Sequence, residues 1–99
     1  MVTQPESRLQ RKIRGALEAA YPRSVWFKYH GGPFTRAGVP DLLGVVEGRF
    51  IALEVKQPGE SPSVIQRHMH ARLRDASAIV AVVRSVDEAL GVMRDALGH

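Results

Sequence analysis

Cysteine is absent from this 99-residue chain, which excludes disulfides and thiolate metal sites and leaves only oxygen or imidazole to hold a metal. Long apolar runs are absent as well, so nothing in it reads as a membrane span. The opening residues, Met1-Val2-Thr3-Gln4-Pro5-Glu6, lack the apolar core of a signal peptide, and a cytoplasmic setting is expected. There is no internal repeat, low-complexity tract or linker, which points to one domain over residues 1–99. Acids are the scarcer charge: 10 Asp and Glu stand against 14 Lys and Arg, a formal charge of +4.

The placing of those bases says more than their sum. Arg8, Arg11, Lys12 and Arg14 crowd one early stretch, while Arg67, Arg72 and Arg74 crowd a later one with His68 and His70. Basic surface of this kind suits a polyanion such as nucleic acid, although a merely solvated basic face has the same sequence pattern.

Two apolar runs in the middle of the chain carry charges where burial would not favour them. Gly38-Val39-Pro40-Asp41-Leu42-Leu43-Gly44-Val45-Val46 is followed by Glu47-Gly48-Arg49 and then Phe50-Ile51-Ala52-Leu53-Glu54-Val55-Lys56, a β-hairpin pattern. A two-residue turn at Glu47-Gly48 sets Val46 against Arg49, and counting back sets Asp41 opposite Glu54. Side chains alternate with period two, so Lys56 shares the face of both acids. Carboxylates facing each other across a strand pair repel unless a cation sits between them. A divalent metal ion would meet that need, which is the layout of a phosphodiester-cleaving site. Two plainer readings stand beside it. Asp41 is also a plausible turn residue after Pro40, with Glu54 and Lys56 a solvated pair, and a three-residue turn would move Asp41 off the shared face.

The remaining elements follow from caps and periodicity. Thr3 and Glu6 form a capping-box pattern with Pro5 in the first turn, and Leu9, Ile13, Ala16, Leu17 and Ala20 continue a helix from about Gln4 to Ala20. Ser24 to Tyr29 reads as a strand, and His30 to Gly38 as a glycine-rich loop. Ser61 reads as an N-cap with Pro62 at the first helical position, and Ile65, Met69, Leu73 and Ala76 as the inward stripe of that helix. Ala78 to Val83 reads as a strand buried on both faces. Ser85 and Glu88 form a further capping box, opening a helix with Ala89, Leu90, Met93 and Leu97 inward. The order is α-β-β-β-α-β-α, with the last strand expected parallel to Phe50–Lys56. At about 100° per residue, Glu6 falls on the inward arc of the first helix and Glu18 on the solvent side. An acid so placed needs a partner, and the capping box supplies one local explanation.

Glu6-Ser7-Arg8-Leu9-Gln10, Arg36-Ala37-Gly38-Val39-Pro40-Asp41-Leu42-Leu43, Ala52-Leu53-Glu54-Val55-Lys56, Ser63 with Gln66, and Val82-Val83-Arg84-Ser85 together resemble the VRR-NUC family. That family belongs to the PD-(D/E)XK nuclease superfamily, and the resemblance runs from about Glu6 to Leu90. It implies an α/β fold: a restriction-endonuclease-like core of order α-β-β-β-α-β, here with an extra C-terminal helix and a mixed central sheet. It also implies a metal-dependent, structure-specific DNA endonuclease in a bacterial or phage-infected cell, acting on four-way (Holliday) junctions as a homodimer. By the same resemblance Asp41 and Glu54 are metal ligands and Lys56 is the catalytic lysine. Glu6 is the helix-borne acid, and Gln66 the helix glutamine near the site.

Hard oxygen ligands suit Mg²⁺ or Mn²⁺, and Asp41, Glu54 and the backbone carbonyl of Val55 offer a partial set. Glu6 is expected to join through water or to serve a second ion, and Lys56 to position water or offset developing charge. DNA is expected along Arg8, Arg11, Lys12, Arg36, Arg67 and Arg72. A zinc set of His30, His68 and His70 is unattractive, because residues two apart on a helix do not face each other. Trp26, Phe34 and Met93 are the expected apolar contacts of a second copy. A nuclease of ordinary duplex, flap or single-stranded DNA, and a non-catalytic DNA-binding module, remain open alternatives.

Overall fold

Leu9, Ile13 and Leu17 recur every fourth residue, and in the computed structural model, which describes residues 5–33 and 35–99, they seat helix α1 (Pro5–Ala20) on the sheet. Thr3, and with it the Thr3–Glu6 box, lies outside the described residues, as does Phe34. Pro22 ends α1, and the chain continues through β1 (Ser24–Lys28), β2 (Leu42–Val46), β3 (Arg49–Val55), α2 (Val64–Asp75), β4 (Ile79–Val83) and α3 (Val86–Leu97). The four strands lie in chain order, β1–β2 and β2–β3 antiparallel and β3–β4 parallel; of these pairings the hairpin and the parallel pair are the ones the sequence suggested.

The β2–β3 turn has two residues, Glu47 and Gly48, both at positive φ (51° and 76°), which is the type I′ geometry that matches strand twist. Val46 therefore pairs with Arg49 and the register continues to Leu42 with Leu53. One face of the sheet carries Trp26, Leu42, Val46, Ile51, Leu53 and Val55, and it packs against Ile13, Leu17, Ala89 and Met93 of α1 and α3. Gly44 sits opposite Trp26, and a Cβ there would fall 2.4 Å from the indole, so the ring occupies the space a side chain would need. Trp26 and Met93 are thus core residues, which corrects their expected role as contacts for a second copy.

Among the described residues the other face is only half covered, by α2 over β3 and β4. Three expectations change here. The N-cap of α2 is Ser63, not Ser61: its Oγ accepts from Gln66 N (3.1 Å) while Gln66 Oε1 accepts from Ser63 N (2.8 Å), a full capping box that outweighs Pro62 as a start signal. The inward stripe of α2 runs through Gln66, Met69, His70 and Leu73, leaving Ile65 59% exposed. And β4, at the sheet edge, is only partly buried. The cap of α3 is half a box: Ser85 Oγ accepts from Glu88 N (3.0 Å), but the Glu88 carboxylate reaches Arg84 N instead of Ser85 N.

Candidate active site

The hairpin register carries past the last ladder pair to set Asp41 opposite Glu54, on the face where Lys56 also projects. Asp41 precedes β2 and is held by its own backbone and side chain. Its carbonyl accepts from Tyr29 N (2.8 Å) and its Oδ2 from Val55 N (2.8 Å). Opposite Val55 stands Pro40, which has no N–H to give. Within a strand the N–H and C=O of one residue point the same way, so the Val55 carbonyl turns toward Asp41 without a ladder donor.

Glu54 is 1% exposed, a severe position for a carboxyl. Two side chains of α2 meet it. His70 Nε2 lies 3.1 Å from Oε1, and Gln66 Nε2 donates to Oε2 at 3.4 Å. Burial above all, then the hydrogen bond and charge of Asp41, push the Glu54 carboxyl up to about 9, against the opposing pull of Lys56. Metal-free, the site holds a proton at neutral pH. Burial also raises Glu6, with Asp41 next and Glu60 adding both charge and a hydrogen bond, while Lys56 again opposes. His70 is lowered, first by burial and then by Arg74.

Glu6, Asp41, Glu54, Lys56 and Gln66 therefore come together at one end of the sheet, each close enough for charge or hydrogen bonding to reach the next. Among the described residues no three His, Asp or Glu side chains gather tightly enough to hold a metal by themselves. Of the residues expected to meet DNA, Arg8, Arg11, Lys12, Arg36, Arg67 and Arg72 are all exposed. Arg36 lines a groove of about 370 Å³ that also reaches Tyr29, Gly38, Asp41 and Gln66. A larger hollow lies at the opposite end of the hairpin, by Glu47 and His99, away from the acids.

Sequence reasoning missed two residues here. His70 is buried against Glu54, while His30 and His68 are exposed. Its signal was the spacing Gln66-x-x-x-His70, which puts both on one helix face. Glu60, beside Glu6, sits in a turn with no periodicity to mark it.

No family model matches the sequence. Among curated proteins, "Putative nuclease p44" of Acyrthosiphon pisum secondary endosymbiont phage 1 is 43% identical over 53 residues, a match spanning 52% of this chain and 57% of that relative. A solved VRR_NUC domain superposes with a TM-score of 0.77 at 28% identity, covering 93% of this chain and 97% of its own. The chain therefore resembles a VRR_NUC domain in fold and, at 28% identity, in sequence over nearly its whole length. A second VRR_NUC domain protein (TM-score 0.73, 15% identity, covering 94% and 88%) shares its fold. So does Archaeoglobus fulgidus Hjc, a Holliday junction resolvase (TM-score 0.63, 19% identity, covering 80% and 67%). The order of elements expected for a VRR-NUC core, with its additional C-terminal helix, is the order observed.

Proposed function

We propose that this chain is a VRR-NUC nuclease, a divalent-metal-dependent DNA endonuclease that acts on branched DNA, four-way junctions foremost. The observation that carries the reading is the pairing across the hairpin of Asp41 with Glu54, a carboxyl only 1% exposed whose proton is held more tightly by burial and by Asp41. Such a pair spends stability unless a cation replaces the proton, and the donor set there is hard oxygen, which suits Mg²⁺ or Mn²⁺.

Asp41, Glu54 and the Val55 carbonyl would hold the ion, which when bound polarises a phosphate and acidifies water. Asp41 is oriented by Val55 N–H, and Glu54 by Gln66 and His70, so these oxygens need little reorganisation. Lys56 offers a cation on the same face to orient the attacking water or offset charge on the phosphate. Glu6, whose carboxyl feels the charge of Asp41, acts through water. The exposed bases of α1 and α2, with Arg36 in the groove, hold the DNA backbone.

Symmetric nicking of a four-way junction needs two sites, which a two-fold dimer supplies. With Trp26 and Met93 buried, the surface for a second copy is the bare half of the sheet. There Val25, Val45 and Phe50 form one cross-strand row beside Phe27, which is 59% exposed. The setting is the cytoplasm of a bacterial or phage-infected cell, where such DNA is found.

The test is a panel of labelled linear, flap and four-way-junction DNAs with Mg²⁺, Mn²⁺ or EDTA. Paired cuts in the junction, lost with EDTA, are expected. Cleavage confined to linear or flap DNA would overturn the junction reading, and metal-independent binding without cleavage would overturn the nuclease. Light scattering should give a dimer that Phe27→Ser with Val45→Ser converts to monomer.

A further inference from the structure

His70 is the buried residue of α2, 2% exposed, and it reaches neither solvent nor any DNA that the outer face of that helix could meet. A helix packed on a sheet ordinarily fills such a position with Leu or Ile, because burying an imidazole costs free energy unless it is hydrogen-bonded. The partner it has is Glu54. Gln66 stands one turn earlier on the same face, and the two nitrogens lie against different oxygens of one carboxylate, 3.1 Å at Oε1 and 3.4 Å at Oε2. Gln66 is itself held at its other end, where its Oε1 accepts from Ser63 N at 2.8 Å. Across the site, Asp41 is held by Val55 N–H in the same manner.

We infer that His70 is a positioning residue: its Nε2–H donates to Glu54 Oε1 and, together with Gln66, fixes the rotation of that carboxylate so that its remaining lone pairs face Asp41 and the Val55 carbonyl. A carboxylate gripped at one oxygen only can rotate about its terminal bond. Gripped at both, it cannot. Outer partners of this kind commonly carry a large share of a site's affinity for its ion. The inference rests on the metal-dependent reading above and names the residue that makes the ligand set rigid.

The test reads metal binding directly, by titration calorimetry of the full chain with Mn²⁺. Compared are the unaltered chain, His70→Phe, His70→Gln, Glu54→Gln and the double variant Glu54→Gln/His70→Phe. His70→Phe should weaken Mn²⁺ binding by about 10–100-fold. His70→Gln, whose amide nitrogen reaches a similar point, should recover most of it. In the Glu54→Gln background His70→Phe should add no further loss. Cleavage by His70→Phe should return toward normal at high Mn²⁺, the mark of a defect in holding the ion.

Equal Mn²⁺ affinity in His70→Phe and the unaltered chain, with Glu54→Gln deficient, would overturn the role of His70 and leave the metal site standing. Should His70→Phe fail to fold by circular dichroism, ¹⁵N NMR of the unaltered, Mg²⁺-saturated chain decides. A proton on Nε2 supports the inference, and one on Nδ1 alone overturns it. An unaltered chain that neither binds Mn²⁺ nor cuts DNA would overturn the metal-dependent reading and this inference with it.

Discussion

Helices α2 and α3 are both twelve residues long and both start on a serine cap, yet they bury opposite chemistry. The buried residues of α3 are Ala89 and Met93, set into the main core with Ile13, Leu17 and Val55. That of α2 is His70, set against Glu54. The outer faces differ as well. Arg67, His68 and Arg72 make α2 basic, while Asp87, Glu88 and Asp95 outnumber Arg94 on α3. One helix is set into the main core and the other meets the buried Glu54, and each position can be altered to test whether that division is one of fold and proposed site.

The largest contrast should come from paired substitutions across it. Glu54→Gln matches the protonated acid in shape and removes the ligand charge, so cleavage should fall by about a hundredfold or more with little change in stability at pH 7. Asp41→Asn should do the same. Met93→Ala should instead cost about 2–5 kcal/mol of stability by denaturant unfolding, with the remaining folded protein still cutting DNA. A Glu54→Gln protein with full activity would end the assignment of that residue.

Next in size is the pH dependence that α2 imposes and α3 does not. The folded carboxyl of Glu54 is raised from about 4.5 to about 9, so its contribution to stability is full below about pH 4.5 and is lost as pH rises through 9. His70 is lowered, so its contribution is present above about 6.5 and is lost as pH falls. The two oppose each other in acid, and only Glu54 acts between about 6.5 and 9. Metal-free thermal unfolding should therefore lose stability across that window, by up to about 1.4 kcal/mol per unit. Glu54→Gln should flatten the curve. Mn²⁺ affinity should run the other way and strengthen with pH, because binding displaces the proton. A flat profile in the unaltered chain would show that the acid pair is not crowded.

A smaller effect distinguishes the outer faces. Replacing Arg67 and Arg72 with Gln should weaken DNA binding for all sequences alike and reduce the salt slope by about two, one phosphate contact for each charge. Arg94→Gln on α3 should change neither. Loss of binding with Arg94→Gln would place DNA across α3 as well.

The contrast between the helices also explains what the sequence disclosed. The hairpin was legible because a two-residue turn leaves one register, and with it came Asp41, Glu54 and Lys56 on one face. The inward arc of α1 was legible from Leu9, Ile13 and Leu17, and it brought Glu6 to the same end. For α3 apolar spacing served equally well. For α2 it served only in part: counting aliphatics finds Met69 and Leu73 but adds the exposed Ile65 and passes over Gln66 and His70, which meet Glu54. Hydrophobic periodicity cannot register a stripe whose one buried member is His70 and whose contacts to Glu54 are polar. The usable sign was Ser63-Val64-Ile65-Gln66: a capping box fixes where the helix starts, and from that start Gln66 and His70 fall one turn apart on one side. The Glu60 contact has no such sign, since it depends on how a turn folds back onto α1.

The two serine caps offer the smallest and most discriminating comparison. Ser63→Ala and Ser85→Ala each remove a hydroxyl that accepts from the third helical N–H, at 3.1 Å and 3.0 Å, and each should cost about 1 kcal/mol. On stability alone the variants should be alike. They differ in what the cap is attached to. The glutamine that completes the Ser63 box is the same residue whose Nε2 donates to Glu54, so a frayed first turn of α2 loosens one of the two holds on that carboxylate. The box that Ser85 begins ends on Arg84 N, far from the acids in function. Ser63→Ala should therefore weaken Mn²⁺ binding several-fold beyond anything its stability loss explains, and Ser85→Ala should leave it untouched. The measurement is Mn²⁺ titration at a temperature where both variants are fully folded. Equal affinities in the two would mean that Gln66 is placed by the packing of α2 and not by its cap.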